Sequence, residues 1–148
     1  MNAEVICTSL DLCNNLDPLQ RTEKDLPFEI YQAFSPDSIL RIGDIESFKK
    51  DLSKLEALTN IKICTLDNLI EALKTRHDFF DSKGCRLSHH SISYFPFSPS
   101  PASEVSIIVK QVIDHNFVGL TDVEKYQTYI LTQIAKWNYE KKWIQLFH

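Results

Sequence analysis

Residues 76–90 of this chain read RHDFFDSKGCRLSHH, and they join the end of a helix to the start of a strand. Apolar residues repeat at helical spacing up to Phe80, and Gly84 stands where a helix-ending glycine is usually found. Residues 85–90 then alternate like a short strand that ends on polar side chains. Because parallel α/β proteins carry their chemistry at the carboxyl ends of strands, this stretch predicts a fold class and the place of a site.

Strands and helices alternate outward from that stretch along the whole chain. Further strands are predicted at residues 4–8, 28–34 and 143–148, where β-branched or aromatic residues cluster. Helices are predicted from Asp17 to 25, from Asp44 to 58, from Thr65 to 83, over 103–114, and from the capping box Thr121–Glu124 to 141. Ser35, Pro36 and Asp37 read as a turn. Strands separated by helical crossovers indicate an α/β protein with a parallel sheet.

Four such strands are about half of a (β/α)8 barrel, which typically needs about 250 residues. A small open doubly wound sheet is the alternative. The three glycines, Gly43, Gly84 and Gly119, form no phosphate-binding loop after any strand, so nucleotide binding is not expected. Residues 1–148 are therefore expected to form a single, partial barrel segment.

Composition narrows the class of protein further. The chain has 148 residues, of which 43% are hydrophobic and 24% charged, as in a globular domain. Its net charge of −4 argues against nucleic acid or an anionic membrane as a partner. The sequence shows neither a membrane-spanning run nor a signal peptide, and its four cysteines are scattered, which predicts a cytoplasmic protein with reduced thiols.

Strand alternation assigns candidate catalytic side chains to one face of residues 85–90. Arg86, Ser88 and His90 share that face, and the apolar Cys85 and Leu87 on the other face are expected to contact the helices. Arg86, Ser88 and His90 would then point into a barrel interior or lie at its mouth. A guanidinium there can bind a carboxylate, and an imidazole can move protons between adjacent carbons. The alternative makes Arg86 a structural ion pair and His90 a capped loop residue.

His148 ends the last strand and is a candidate metal ligand through its neutral imidazole. No second ligand stands near it at ligand spacing, so a simple strand-end residue is the alternative. Tyr94, Phe95 and Phe97 alternate with prolines in the loop after residue 90. Those aromatics would either cover a pocket or hold the loop to the surface.

Several of these stretches, in order, resemble the uronate isomerases. Residues 4–11 (EVICTSLD) are similar to the family's E-V-I-C-T-T-D-D, and residues 34–37 (FSPD) to its F-R-P-D. Residues 72–80 with 84–88 resemble its R-x-x-F-F-x-x-x-G-C-R-L-S-D-H signature, and residues 143–148 (WIQLFH) its W-x-x-Q-[LF]-H strand. The resemblance spans essentially the whole chain, which looks like an internal portion of such an enzyme.

The resemblance implies an amidohydrolase-type (β/α)8 barrel, of which the four strands here would be the second to the fifth. It implies an aldose–ketose isomerisation of hexuronate sugar acids, D-glucuronate to D-fructuronate and D-galacturonate to D-tagaturonate, with a divalent metal that is usually zinc. His148 then matches the metal-binding histidine of the fifth strand, and His90 the histidine of S-D-H.

The sequence departs from the family pattern at the site. Ser35 replaces the arginine of F-R-P-D, and His89 replaces the aspartate of S-D-H. The family's H-x-H metal motif would precede Met1 and its last metal-binding aspartate would follow His148, so the chain is expected to be inactive alone. Two alternatives stay open: a non-catalytic remnant that assembles through exposed sheet edges, and a generic domain that binds sugar acids or metal through Arg86, His90 and His148.

Overall fold

A parallel sheet organises the computed structural model, which describes residues 5–13 and 29–148. Its strands are β1 (Val5–Asp11), β2 (Glu29–Ser35), β3 (Leu87–His90) and β4 (Ile144–Phe147). They lie side by side in chain order and every neighbouring pair is parallel. The α/β prediction is therefore confirmed, and the helix predicted from Asp17 to 25 falls outside the described residues.

Five helices occur in the described part of the chain. They are α1 (Asp37–Leu40), α2 (Ile45–Thr59), α3 (Leu66–Ser82), α4 (Ala102–His115) and α5 (Leu120–Lys141). The chain leaves α5 through Lys142, which is left-handed, and enters β4 directly. None of these helices is long and apolar enough to cross a lipid bilayer.

Local side chains start two of the helices where the sequence predicts them. The carboxylate of Asp44 accepts from the Ser47 amide at 3.2 Å and begins α2. The hydroxyl of Thr65 accepts from the Asn68 amide, also at 3.2 Å, and begins α3. Gly84 follows α3 with φ of +90°, a conformation that suits glycine, as expected for the residue that ends this helix.

Other local predictions were wrong. Asp37, which the sequence places in a turn over residues 35–37, instead begins helix α1. Leu58, near the end of α2, is 45% exposed and does not extend the apolar face of that helix. Helix α5 begins at Leu120, because the Gly119 carbonyl accepts from the Val123 amide. Thr121 therefore lies inside the first turn and caps nothing.

The core lies between the sheet and the helices. Phe34 of β2 packs edge-on against Phe80 of α3 at 5.2 Å between ring centroids, and also contacts Trp143 before β4. Phe48 of α2 packs against Tyr126 of α5 in the same manner. Trp143 is buried in the same core. The packing of this layer determines which side chains of β3 and β4 face the helices.

Candidate functional site at the carboxyl edge of the sheet

Strand β3 presents its alternating side chains in the opposite sense to the sequence prediction. Ser88 is fully buried and accepts a hydrogen bond from the Nδ2 of Asn138 in α5, so the face of Ser88 and His90 is the face that contacts the helices. Leu87 and His89 lie on the other face. The prediction failed because it counted Cys85 as part of the strand. Cys85 is buried in the core but lies before β3, so the alternation of side chains that starts at Leu87 does not include it.

A chain of buried polar groups crosses from α3 through α5 to β3. The Nε2 of His77 lies 3.0 Å from the Oδ1 of Asn138, whose Nδ2 donates to Ser88 Oγ at 2.8 Å. The Oγ of Ser88 lies 3.0 Å from the Nε2 of His90. Burial lowers the pKa of His77, which favours its neutral form. Buried polar groups are stable only when they are paired in this way, so the chain fixes how α5 sits on β3.

His90 is fully buried in that layer, at the carboxyl end of β3. Its Nε2 also lies 3.3 Å from the Nε2 of Gln145, an amide nitrogen that can only donate. In the tautomer with its proton on Nδ1, the His90 Nε2 can accept from this amide. That Nδ1 lies 3.7 Å from the Asp37 Oδ1, beyond hydrogen-bond distance, and neither atom has a partner in the described part of the chain. The arrangement orients His90 toward Asp37 rather than toward the opposite face of the sheet.

Arg86 lies away from both residues with which it was grouped. It precedes β3, its side chain is 56% exposed, and its guanidinium lies 3.4 Å from Asp81 and donates to the Cys85 carbonyl. This is the amino end of the strand, opposite the end where Asp37 and His90 meet. Arg86 is therefore separated from Ser88 and His90, which lie 3.0 Å apart between Oγ and Nε2, and it takes the ion-pair position that the sequence left as its alternative.

Side chains of the stretch before β3 hold the layers together. Arg76 donates from Nε to the Leu12 carbonyl after β1, at 2.8 Å. Asp81 accepts from the indole Nε1 of Trp143 at 3.0 Å. Cys85 is 1% exposed, and its Sγ donates to the Gln32 carbonyl of β2 at 2.9 Å. Burial raises the pKa of this thiol, which favours its protonated form in the core.

The open face, defined here as the side of the sheet with Leu87, His89, Ile144, Leu146 and His148, carries a pair of histidines. The imidazoles of His89 and His148 stack with centroids 4.3 Å apart and planes inclined by 27°. They come from the carboxyl ends of adjacent parallel strands, where His89 pairs with Leu146 and His148 follows two residues later. Burial, and then the neighbouring His148, lower the pKa of His89, which favours a neutral imidazole.

Sequence reasoning named His148 as a candidate metal ligand but placed His89 on the strand face of Cys85 and Leu87, which was expected to contact the helices. The sequence did contain a signal for this pair. Two strands that end on histidine and lie next to each other in a parallel sheet bring those histidines together. Imidazole nitrogens suit zinc and other borderline metals. Within residues 5–13 and 29–148, however, no three His, Cys, Asp or Glu side chains are arranged to hold a metal ion. The donor chemistry therefore fits part of a metal site.

Two cavities flank this edge. One of about 300 Å³ lies between α1, α5 and residues 91–94, and Tyr94 lines it. A larger apolar one of about 580 Å³ lies between residues 95–100, α5 and β4. Phe95 and Phe97 line the larger cavity but are 61% and 76% exposed, and Phe95 packs edge-on against Phe147. The loop aromatics thus border two cavities and remain largely exposed to solvent.

Comparison with known proteins decides the family. The family model described as glucuronate isomerase matches residues 1–148, which is the whole chain. The chain belongs to the glucuronate isomerase family. It is 31% identical to the uronate isomerase of Cellvibrio japonicus over 149 aligned residues, covering 99% of this chain and 32% of that protein. It is 32% identical to the uronate isomerase of Shouchella clausii, and the alignment covers 99% of this chain and 31% of that protein. The chain thus spans about a third of the length of these glucuronate isomerase relatives.

Solved structures agree on the fold. The uronate isomerase of Thermotoga maritima superposes with a TM-score of 0.91 at 19% identity, over 98% of this chain and 32% of that one. The glucuronate isomerase of Caulobacter crescentus gives a TM-score of 0.85 at 16% identity, over 98% and 30%. The parallel arrangement seen here is therefore one that glucuronate isomerase structures contain.

Proposed function

We propose that this chain forms strands two to five of a hexuronate isomerase barrel and supplies part of its metal site. The family match, the parallel chain-order sheet and the coverage of one third of each relative support this assignment. The reaction proposed for the completed barrel is aldose–ketose isomerisation of D-glucuronate and D-galacturonate. The chain alone would be inactive, because His89 and His148 are two ligands where a closed zinc site needs at least three protein groups.

The stacking of His89 on His148 is the observation that carries the proposal. It brings two imidazole donors to the carboxyl edge of the parallel sheet, where barrel enzymes hold their sites. His148 and His89 would hold a divalent metal, expected to be zinc, and when bound that metal would polarise the oxygens of the sugar. His89 replaces a family carboxylate with an imidazole, so this chain should favour zinc over magnesium more strongly than an aspartate would.

Ser88 and His90 are proposed as positioning residues rather than as groups that touch the substrate. Both are fully buried on the helix-facing side, bound to Asn138 and Gln145. They anchor the strand that carries His89 between them. Arg86, at the amino end of the same strand, is proposed as a surface ion-pair partner of Asp81 and not as a ligand of the sugar carboxylate.

Zinc titration followed by complementation tests this function. Calorimetry should show zinc binding that His148→Ala abolishes and that the matched control His115→Ala, on a helix end far along the chain, retains. The chain would then be mixed with the Cellvibrio japonicus uronate isomerase from which the matching third has been deleted. Ketose formation from D-glucuronate that exceeds the His148→Ala background supports the proposal. Zinc binding unchanged in His148→Ala would contradict it.

A second candidate function, an assembly module, is favoured by the apolar character of the open face. Ile144 and Leu146 are 62% and 44% exposed, although both belong to a strand. β1 and β4 are the outer strands of the described sheet. A two-fold axis parallel to the strands would pair β4 of one copy with β1 of the other and give eight parallel strands, the number that closes a barrel.

Sedimentation distinguishes the assembly module from a monomeric segment. A concentration-dependent dimer should appear for the parent chain and dissociate in Leu146→Lys, because a charge on the open face cannot be buried without a partner. Ile107→Lys is the matched control, since Ile107 is also exposed, at 59%, but lies on helix α4. A compact monomer at all concentrations would rule the assembly module out.

A further inference from the structure

The smaller cavity, of about 300 Å³, lies immediately beyond the carboxyl ends of β2 and β3. Residues that follow β2 form one wall and residues 91–94, which follow β3, form another. The Ile92 amide donates to the His148 carbonyl at 3.1 Å, so the cavity adjoins the strand end that carries the histidine pair. Its volume is at the lower end of the range in which small ligands bind.

Hydrogen-bond donors and acceptors both line the cavity. Donors and acceptors for hydroxyl groups come from a carboxylate, two hydroxyl side chains, a phenol and an amide: Asp37, Ser91, Ser93, Tyr94 and Gln127. The Asp37 Oδ2 accepts from the Ser91 amide at 2.8 Å, and Gln127 donates to the Leu40 carbonyl at 3.1 Å. These two bonds hold both walls of the cavity in place before any ligand arrives.

Arg41 gives the cavity a cation. Its side chain is exposed, and its guanidinium makes no hydrogen bond or ion pair with any described residue. Arg86, by contrast, is paired with Asp81 at the other end of β3. A guanidinium presents a fork of N–H donors that matches the two oxygens of a carboxylate. Among the described residues that line this cavity, Arg41 supplies the guanidinium that can serve a sugar acid.

We propose that this cavity binds a hexuronate, with Arg41 on the carboxylate and Asp37, Ser91, Ser93 and Gln127 on the neighbouring hydroxyls. A cation beside a carboxylate and several hydroxyl-binding groups is the combination that separates a sugar acid from a neutral sugar and from a simple carboxylate. This inference rests on the proposed function for its choice of ligand and adds the place where the acid end of the sugar is held.

Heteronuclear NMR titration of the metal-free chain tests the inference without requiring catalysis. D-galacturonate should shift the amide signals of Arg41 and residues 91–94 in a saturable way. D-galactose, which lacks the carboxylate, and acetate, which lacks the hydroxyls, should each bind at least about tenfold more weakly, because each leaves one set of site groups unpaired. Arg41→Gln should weaken uronate binding at least about tenfold, whereas the matched variant Arg86→Gln should leave it unchanged.

Three outcomes would overturn the inference. The first is the absence of uronate shifts at residues 91–94, and the second is equal binding by Arg41→Gln and the parent. The third is equal binding of acetate and uronate, which indicates a nonspecific anion site. Because the Arg41 side chain makes no hydrogen bond or ion pair with the described residues, Arg41→Gln should fold, and its thermal unfolding provides the check. If zinc binding depends on His148 but D-galacturonate shifts no amide signals at residues 91–94, the cavity proposal fails and the isomerase proposal stands.

If D-galacturonate binds but complementation gives no ketose, the isomerase proposal fails and the cavity proposal stands.

Discussion

The side-chain amide of Asn138 donates a 2.8 Å hydrogen bond to the hydroxyl of Ser88, within the buried layer between helix α5 and strand β3. The other end of the same amide lies 3.0 Å from the Nε2 of His77. One side chain thus pairs with polar groups of two different elements. Its burial explains why the strand that ends in two histidines presents His89, and not His90, on the open face.

Replacement of Asn138 should therefore be costly. Asn138→Ala removes a partner from Ser88 and another from His77, both fully buried, so the free energy of unfolding should fall by about 2–4 kcal/mol. Urea denaturation measures the change. Glu140→Ala, an exposed position on the same helix, is the control and should change the value by less than about 0.5 kcal/mol. Equal stability of the two variants would show that the buried chain of polar groups contributes nothing.

The buried imidazole of His77 makes stability depend on pH. Burial lowers its pKa from the usual 6.5, although the bond to Asn138 acts in the other direction. The unfolded chain therefore takes up a proton near pH 6.5 that the folded chain does not. The contribution of His77 is full above that pH and is lost as the pH falls toward the folded pKa. The free energy of unfolding should thus decrease between about pH 7.5 and about pH 5.5.

His77→Gln tests the origin of that slope, because glutamine keeps an N–H donor but does not titrate. Urea denaturation of this variant at both pH values should show a shallower dependence, with the remainder coming from groups such as His89, whose pKa burial also lowers. His115→Gln serves as the control and should keep the parent slope. An unchanged slope in His77→Gln would remove His77 as its source.

Two threonines near helix starts should differ in their effect on stability. Thr65→Ala removes the hydroxyl that accepts from the Asn68 amide and should cost about 1 kcal/mol. Thr121→Ala should cost less than about 0.5 kcal/mol, because Thr121 lies inside the first turn of α5 and makes no capping bond. Thermal unfolding of both variants measures the difference. A larger loss in Thr121→Ala would restore the capping box that the sequence predicts.

Asp81 should matter more than its partner Arg86. Arg86→Ala breaks a mostly exposed ion pair of 3.4 Å and should change the free energy of unfolding by less than about 1 kcal/mol. Asp81→Ala also leaves the indole N–H of the buried Trp143 without its acceptor, which should cost about 1–3 kcal/mol. Denaturant midpoints of the two variants decide the order. If Arg86→Ala proved the more damaging, Arg86 would have a role that the ion pair does not explain.

The sequence predicted helices and strands well wherever residues close in the chain determine where the element begins or ends. Asp44 and Thr65 cap helices by bonds to amides three residues away, and Gly84 is followed by a new strand because it tolerates a positive φ. The motifs spread along the chain likewise predicted the family, which the match over residues 1–148 confirms. Thr121 misled because Gly119, two residues earlier, starts the helix first.

The sequence by itself determined the order of strands and helices, their parallel pairing and the histidines that end β3 and β4, since periodicity, caps and crossover lengths are properties of short stretches. Only the tertiary structure decided which side of β3 meets the helices. That side depends on Asn138, fifty residues away, reaching Ser88, and on Phe34 packing in the same layer. A shift of the alternation by one residue would put His90 in place of His89 on the open face. No local pattern determines that alternation when both faces of the strand are partly polar.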